Sequence, residues 1–180
     1  NEILASKICR CFDCRQVLYE ESMFDGQKVS KSRIITSVDY SMVSMEAFEI
    51  YAANHDIHVM DFVLKLDAYS YYMMNLLDYL TGNTDRHWGN WGFLVDNRTN
   101  QPIRLFDLMD LNQTFLAYDT IEGANCMTTG NRKISQREAA VEAVKIIGLN
   151  QRNEIKDEWF ESRDKEREMF WNRFGILKEQ

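Results

Sequence analysis

The chain has 180 residues, 45% hydrophobic and 27% charged, with 8 Gly and 1 Pro, a balance that fits one packed domain or one lobe of a larger enzyme and excludes long disordered linkers. A net charge of −7 and a pI near 5.0 exclude a broad nucleic-acid-binding surface, because neutralising phosphates takes clustered Lys and Arg. No apolar run approaches the roughly 20 residues of a membrane span, and Asn1-Glu2-Ile3-Leu4 lacks a basic segment followed by an apolar block, so a cytoplasmic protein with reduced thiols and no membrane partner is expected.

In chain order, residues 2–14 read as a helix, with Ile3, Leu4, Ile8 and Phe12 at helical spacing. Residues 16–20 and 28–35 are expected as two strands of a hairpin about the Asp25-Gly26 turn, the second carrying Lys28 and Lys31. Residues 36–44 are small and polar and read as a connector, and residues 46–54 as a short helix. The clearest helix spans 58–81. Phe62, Leu66, Tyr69, Met73, Leu76 and Leu80 form one apolar stripe, which predicts a buried spine roughly 35 Å long.

Gly82 is placed to cap that helix. Residues 91–95 and 103–106 read as short strands joined by a turn at 96–100. Ser135 and Glu138 fit a capping box before a helix that stops at Gly148. Asn150 is expected to cap a further short helix, and 157–177 to form a last amphipathic one. Cys9, Cys11 and Cys14 have tempting metal-ligand spacing. Helical residues two apart point about 200° from each other, however, so zinc is not expected there. His55 and His58 read as surface or capping residues.

The chemistry is concentrated in two stretches. One runs from Thr81 through Asp85, Arg86, His87 and Asn90 to Phe93, and the other from Leu105 through Asp107 and Asp110 to Gln113. A hairpin between them returns the chain, so Asp85 and Asn90 can face Asp107 or Asp110. Two carboxylates and an amide are hard oxygen donors that suit Mg²⁺. Phosphoryl transfer needs such a set: a metal to neutralise phosphate charge and a carboxylate to orient the incoming hydroxyl.

D-R-H-x-x-N at 85–90, followed by a hairpin and the acidic loop ending Leu108-Met109-Asp110-Leu111-Asn112-Gln113-Thr114-Phe115, resembles the catalytic and metal loops of bacterial HipA-like kinases and, more remotely, of phosphatidylinositol kinases. The resemblance implies an α+β, predominantly helical, kinase C-lobe-like fold with small β-hairpins. It implies a remnant of an N-terminal lobe and hinge at 1–45, and a helical C-lobe at 46–180 with the catalytic loop at 83–93 and the metal loop at 105–115. Asp85 would be the catalytic base or substrate-orienting carboxylate, Asn90 and Asp110 the metal ligands, and Arg86 and His87 supports for loop geometry or phosphate charge. Glu2 would pair with a phosphate-binding Lys of the N-lobe, which is largely missing: no Gly-rich phosphate loop precedes Asp85.

The function so implied is ATP- and Mg²⁺-dependent transfer of a γ-phosphoryl group to Ser or Thr of a protein substrate, with an antitoxin-type protein as a candidate partner. The competing expectations are a catalytically incompetent pseudokinase or partner-binding helical module, and a metal-dependent hydrolase using the same loops.

Overall fold

The structure, a computed structural model, describes residues 1–116 and 120–180. Its fold is mixed α+β, a set of helices around one core with two small antiparallel sheets.

The first helix, α1 (Glu2–Cys9), stops short of residue 14. Phe12 fits the helical spacing, yet it reaches the core after the chain has turned and packs edge-on to Phe174 with ring centres 6.4 Å apart. Long-range bonds replace the last expected turn. The Asp13 N–H donates to the Asn150 carbonyl, and the Cys11 carbonyl accepts from Arg152 and Asn153.

Strands β1 (Tyr19–Phe24) and β2 (Gln27–Ser32) form the expected hairpin, with Tyr19 opposite Ser32. The hairpin starts later than residue 16 because the segment at Gln16 bridges to Leu108 instead.

Residues 36–44 are not merely a connector. Strand β3 (Tyr40–Ser44) pairs antiparallel with β4 (Gly92–Asp96), which pairs in turn with β5 (Gln101–Leu105). Gly92 sits opposite Ser44, and a Cβ there would lie 2.0 Å from the Val43 carbonyl oxygen, so the strands approach this closely only because residue 92 is glycine. Phe93 is fully enclosed, edge-on to Phe48 of α2 (Met45–Ala53) at 4.8 Å and to Phe62 at 5.6 Å. Burying such a ring contributes about 2–3 kcal/mol.

The spine helix α3 (Val59–Thr81) starts at His58, whose Nδ1 accepts from the Asp61 N–H, and ends at Gly82 in a left-handed conformation with φ 62°. Its apolar stripe is not carried by one continuous helix. Asp67 is non-helical, with φ −155° and ψ 63°. Its carboxylate accepts from the Arg15 guanidinium at 2.5 Å, the Leu105 N–H at 3.1 Å and the Ser70 N–H at 3.2 Å. It thereby recaps the second half of the helix while docking β5 and the residue 15 segment.

Helix α4 (Gln136–Ile147) has the full Ser135–Glu138 capping box and lies along α3. Asn150 starts no helix; it takes φ 50° and its amide turns back to the Ile147 carbonyl. The last expected helix is two elements, a 3-10 turn at Asp157–Phe160 and α5 (Asp164–Lys178). Ser162, at φ 61°, separates them, and the Asp157 carboxylate accepts from Arg167 Nε and Trp171 Nε1 across the break. Among the described residues no helix is long and apolar enough to cross a membrane.

Candidate functional site

Along the last turns of α3, Met73 to Leu80 is apolar except for Asn75 and Asp78. A carboxylate inside such a run needs partners, since an unpaired buried charge is very costly. The Asp78 side chain is only 4% exposed and accepts three hydrogen bonds: Arg86 Nε at 2.9 Å, Arg86 Nη2 at 3.0 Å and Asn83 Nδ2 at 2.8 Å. Gly82 reverses the chain so that residues 83–86 fold back onto the helix end.

Arg86 uses its remaining reach to join two loops. Nη1 donates to the carbonyls of Asn90 and Met109, both at 2.7 Å. Burial opposes the guanidinium charge, but the adjoining Asp78 carboxylate outweighs it and holds Arg86 above its ordinary pKa. The same loops are laced elsewhere: the Thr84 N–H donates to the Gln113 carbonyl and the Phe115 N–H to the Thr81 carbonyl. Gln136 Nε2 bonds the Asn83 carbonyl, and Trp88 Nε1 the Met127 carbonyl.

Asp85 is half-exposed at the tip of this frame. Asn90 Nδ2 donates to the Asp85 carbonyl at 2.9 Å and lies 3.4 Å from its carboxylate. The amide nitrogen is thus committed, and Asn90 Oδ1 has no hydrogen-bond partner among the described residues. His87 is exposed: Nδ1 accepts from the Gly89 N–H at 3.0 Å, and Nε2 lies 3.9 Å from Asp85 Oδ1.

The two acids of the second loop differ. Asp107 is tied to Arg104 Nη1 at 2.6 Å and is largely covered. The Asp110 carboxylate has no hydrogen-bond or ion-pair partner among the described residues, and its backbone is left-handed at φ 53°. The Asp110 N–H donates to the Tyr19 hydroxyl at 3.0 Å. A cavity of about 310 Å³ lies behind the loops, lined by Tyr69, Arg86, Asn90, Trp91, Asp107 and Met109; Asp85 and Asp110 do not line it.

Among the described residues no three His, Cys, Asp or Glu side chains gather as a metal cluster. The donor set on offer here is two carboxylates and an amide. The four cysteines are free. Burial pushes the Cys14 thiol up to about 12 and Cys9 well above its usual value, which opposes thiolate ligation. His55 bonds the Tyr51 carbonyl and stacks on its ring.

Sequence reasoning singled out Arg86 but not Asp78, Asn83 or Tyr19. The available signal for Asp78 was an acid within the largely apolar run from Met73 to Leu80, two turns before a candidate arginine.

No family model and no curated protein matches the sequence. Among solved structures, the crystal structure of the Helicobacter pylori proinflammatory kinase CtkA is similar, with a TM-score of 0.67 and 14% sequence identity over 99% of this chain and 78% of that one. The likeness shows a kinase-like fold.

Proposed function

We propose that the two loops form the active site of an ATP- and Mg²⁺-dependent phosphotransferase of HipA-like type, acting on Ser or Thr of a protein. The observation that carries this reading is the Arg86 clamp: one buried guanidinium grips the carbonyl of Asn90 on one loop and that of Met109, the neighbour of Asp110, on the other. Both loops are thereby fixed relative to α3, as a reaction that depends on positioning and electrostatics requires.

In this reading Asp85 orients the acceptor hydroxyl and takes its proton. Its partial exposure leaves it open to a substrate. Asn90 Oδ1 and the Asp110 carboxylate fit a Mg²⁺ ion: both are hard oxygen donors, and both are left uncommitted by the protein. The engagement of Asp107 with Arg104 favours Asp110 as the ligand. Bound there, Mg²⁺ would neutralise charge on the phosphates. Arg86 is a positioning residue in this scheme, because it is buried and spent on Asp78 and two carbonyls. His87 lies beside Asp85 and can steady its carboxylate. An open groove of about 630 Å³, lined by Glu49, Met60, Trp88 and Arg132 among others, runs up to the catalytic loop and offers a surface for a protein acceptor.

The test is Mg²⁺-dependent phosphate transfer or ATP turnover by the full-length protein. Asp85→Asn and Asp110→Asn should each lower it about 100-fold or more. Unchanged turnover in both variants removes the assignment in favour of a partner-binding module of the same fold.

A further inference from the structure

Asp110 adopts a left-handed backbone conformation, which Asp accepts more readily than most residues with a Cβ. Several contacts converge on the segment before it. The Leu108 N–H donates to the Arg15 carbonyl and its carbonyl accepts from the Val17 N–H, so residues 15–17 run beside it like a short parallel strand. Two residues further along that neighbouring segment, at the start of β1, stands Tyr19.

The peptide unit joining Met109 to Asp110 is then gripped at both polar ends. Its carbonyl oxygen accepts from Arg86 Nη1 at 2.7 Å, and its N–H donates to the Tyr19 hydroxyl oxygen at 3.0 Å. Rotating this peptide plane would break both bonds and redirect the Asp110 side chain. Arg86 approaches from the catalytic loop and Tyr19 from the hairpin on the N-terminal side. They are 67 positions apart in sequence, and each holds one end of a single amide.

We propose that Tyr19 is a positioning residue for the metal site: its hydroxyl locks the Met109–Asp110 peptide plane and so aims the Asp110 carboxylate at the cation. The inference rests on the reading of Asp110 as a metal ligand. It adds that the β1–β2 hairpin is coupled to that ligand through one oxygen atom. Tyr19→Phe removes that oxygen and leaves the ring.

The experiment compares Tyr19→Phe and Asp110→Asn in the full-length protein, titrating Mg²⁺ at saturating ATP and recording thermal unfolding in parallel. Tyr19→Phe should raise the half-saturating Mg²⁺ concentration about three- to tenfold, as expected for loss of one hydrogen bond that orients a ligand. The thermal midpoint should stay close to that of the unsubstituted protein. Mn²⁺, which binds oxygen donors at least as well and tolerates less ideal geometry, should restore most of the rate. A Mg²⁺ curve for Tyr19→Phe that superimposes on that of the unsubstituted protein, with Asp110→Asn inactive, overturns the inference and leaves the proposed function standing. A lowered midpoint and rate at unchanged half-saturation would make Tyr19 merely structural, which also overturns it. Full turnover by Asp110→Asn would remove the proposed function and this inference with it.

Discussion

Replacing Asp78 by Asn removes one charge from a place where the fold has committed three hydrogen-bond donors to it. The carboxylate is 4% exposed and its guanidinium partner 3%, so water cannot compensate either group. Breaking a buried pair from one side costs about 3–5 kcal/mol, because the remaining charge stays in the interior. Asn keeps one acceptor oxygen but turns an amide N–H toward Arg86 or Asn83, so a loss of about 3 kcal/mol is expected. For a chain of this length that is a fall in Tm of roughly 6–12 °C. Urea unfolding followed by circular dichroism measures it, with the midpoint moving and the slope unchanged. A double-mutant cycle with Arg86→Met should recover part of the loss, since the neutral Asn–Met pair leaves no orphaned charge in the interior. Glu142→Gln is the contrast: it breaks the exposed Arg132 pair, whose side chains are 57% and 33% exposed, and should cost under about 1 kcal/mol. A loss at Asp78 no larger than at Glu142 would refute the view that this carboxylate anchors both loops.

Two other expectations concern the sheet and the acid response. Gly92→Ala drives a Cβ into the Val43 carbonyl and the Ser44 backbone, so β3 must separate from β4; the variant should lose about 3 kcal/mol or more or fail to fold, and stability within about 0.5 kcal/mol of the parent would contradict the register. Asp13, Glu122 and Asp157 are held below their usual pKa by hydrogen-bonded Arg152, Arg137 and Arg167. Depressed folded values contribute stability above the unfolded values of 3.8 and 4.5, and that stability is lost as pH falls through the lower folded ones. Melts at pH 7, 5 and 3 should therefore show a decline confined to the acid end, smaller in a variant with all three arginines replaced by Met; equal acid sensitivity in both would contradict the assignment.

Residue patterns make some of this fold legible and hide the rest for physical reasons. The spine helix shows itself because its stripe repeats over about five turns, and the capping box before α4 is a local signal that needs no tertiary partner. The break at Asp67 is invisible because its causes, Arg15 and the Leu105 N–H, are distant in sequence. Strand β3 is hidden for the same reason: Ser41 and Ser44 carry little strand preference, and the pairing that makes them a strand comes from β4. Phe12 and Asn150 mislead because each satisfies a helical rule locally while long-range contacts claim it. At the candidate site, the loops are conspicuous through their Asp, Asn, His and Gly content. The carboxylate beneath them passes for a residue of the helix's polar face, and Tyr19 resembles any strand residue until the fold brings it to the Asp110 amide.

The pairing of β3 with β4 also constrains the order of assembly. During vectorial synthesis residues 40–44 emerge well before residues 92–96, so this strand waits unpaired while α2 and α3 form on local bonds. The intervening helices span the gap, and both acidic loops follow them in the chain. A nascent chain would hold its scaffold before it holds its site, and the segment at 40–44 is exposed as a lone strand edge for that interval.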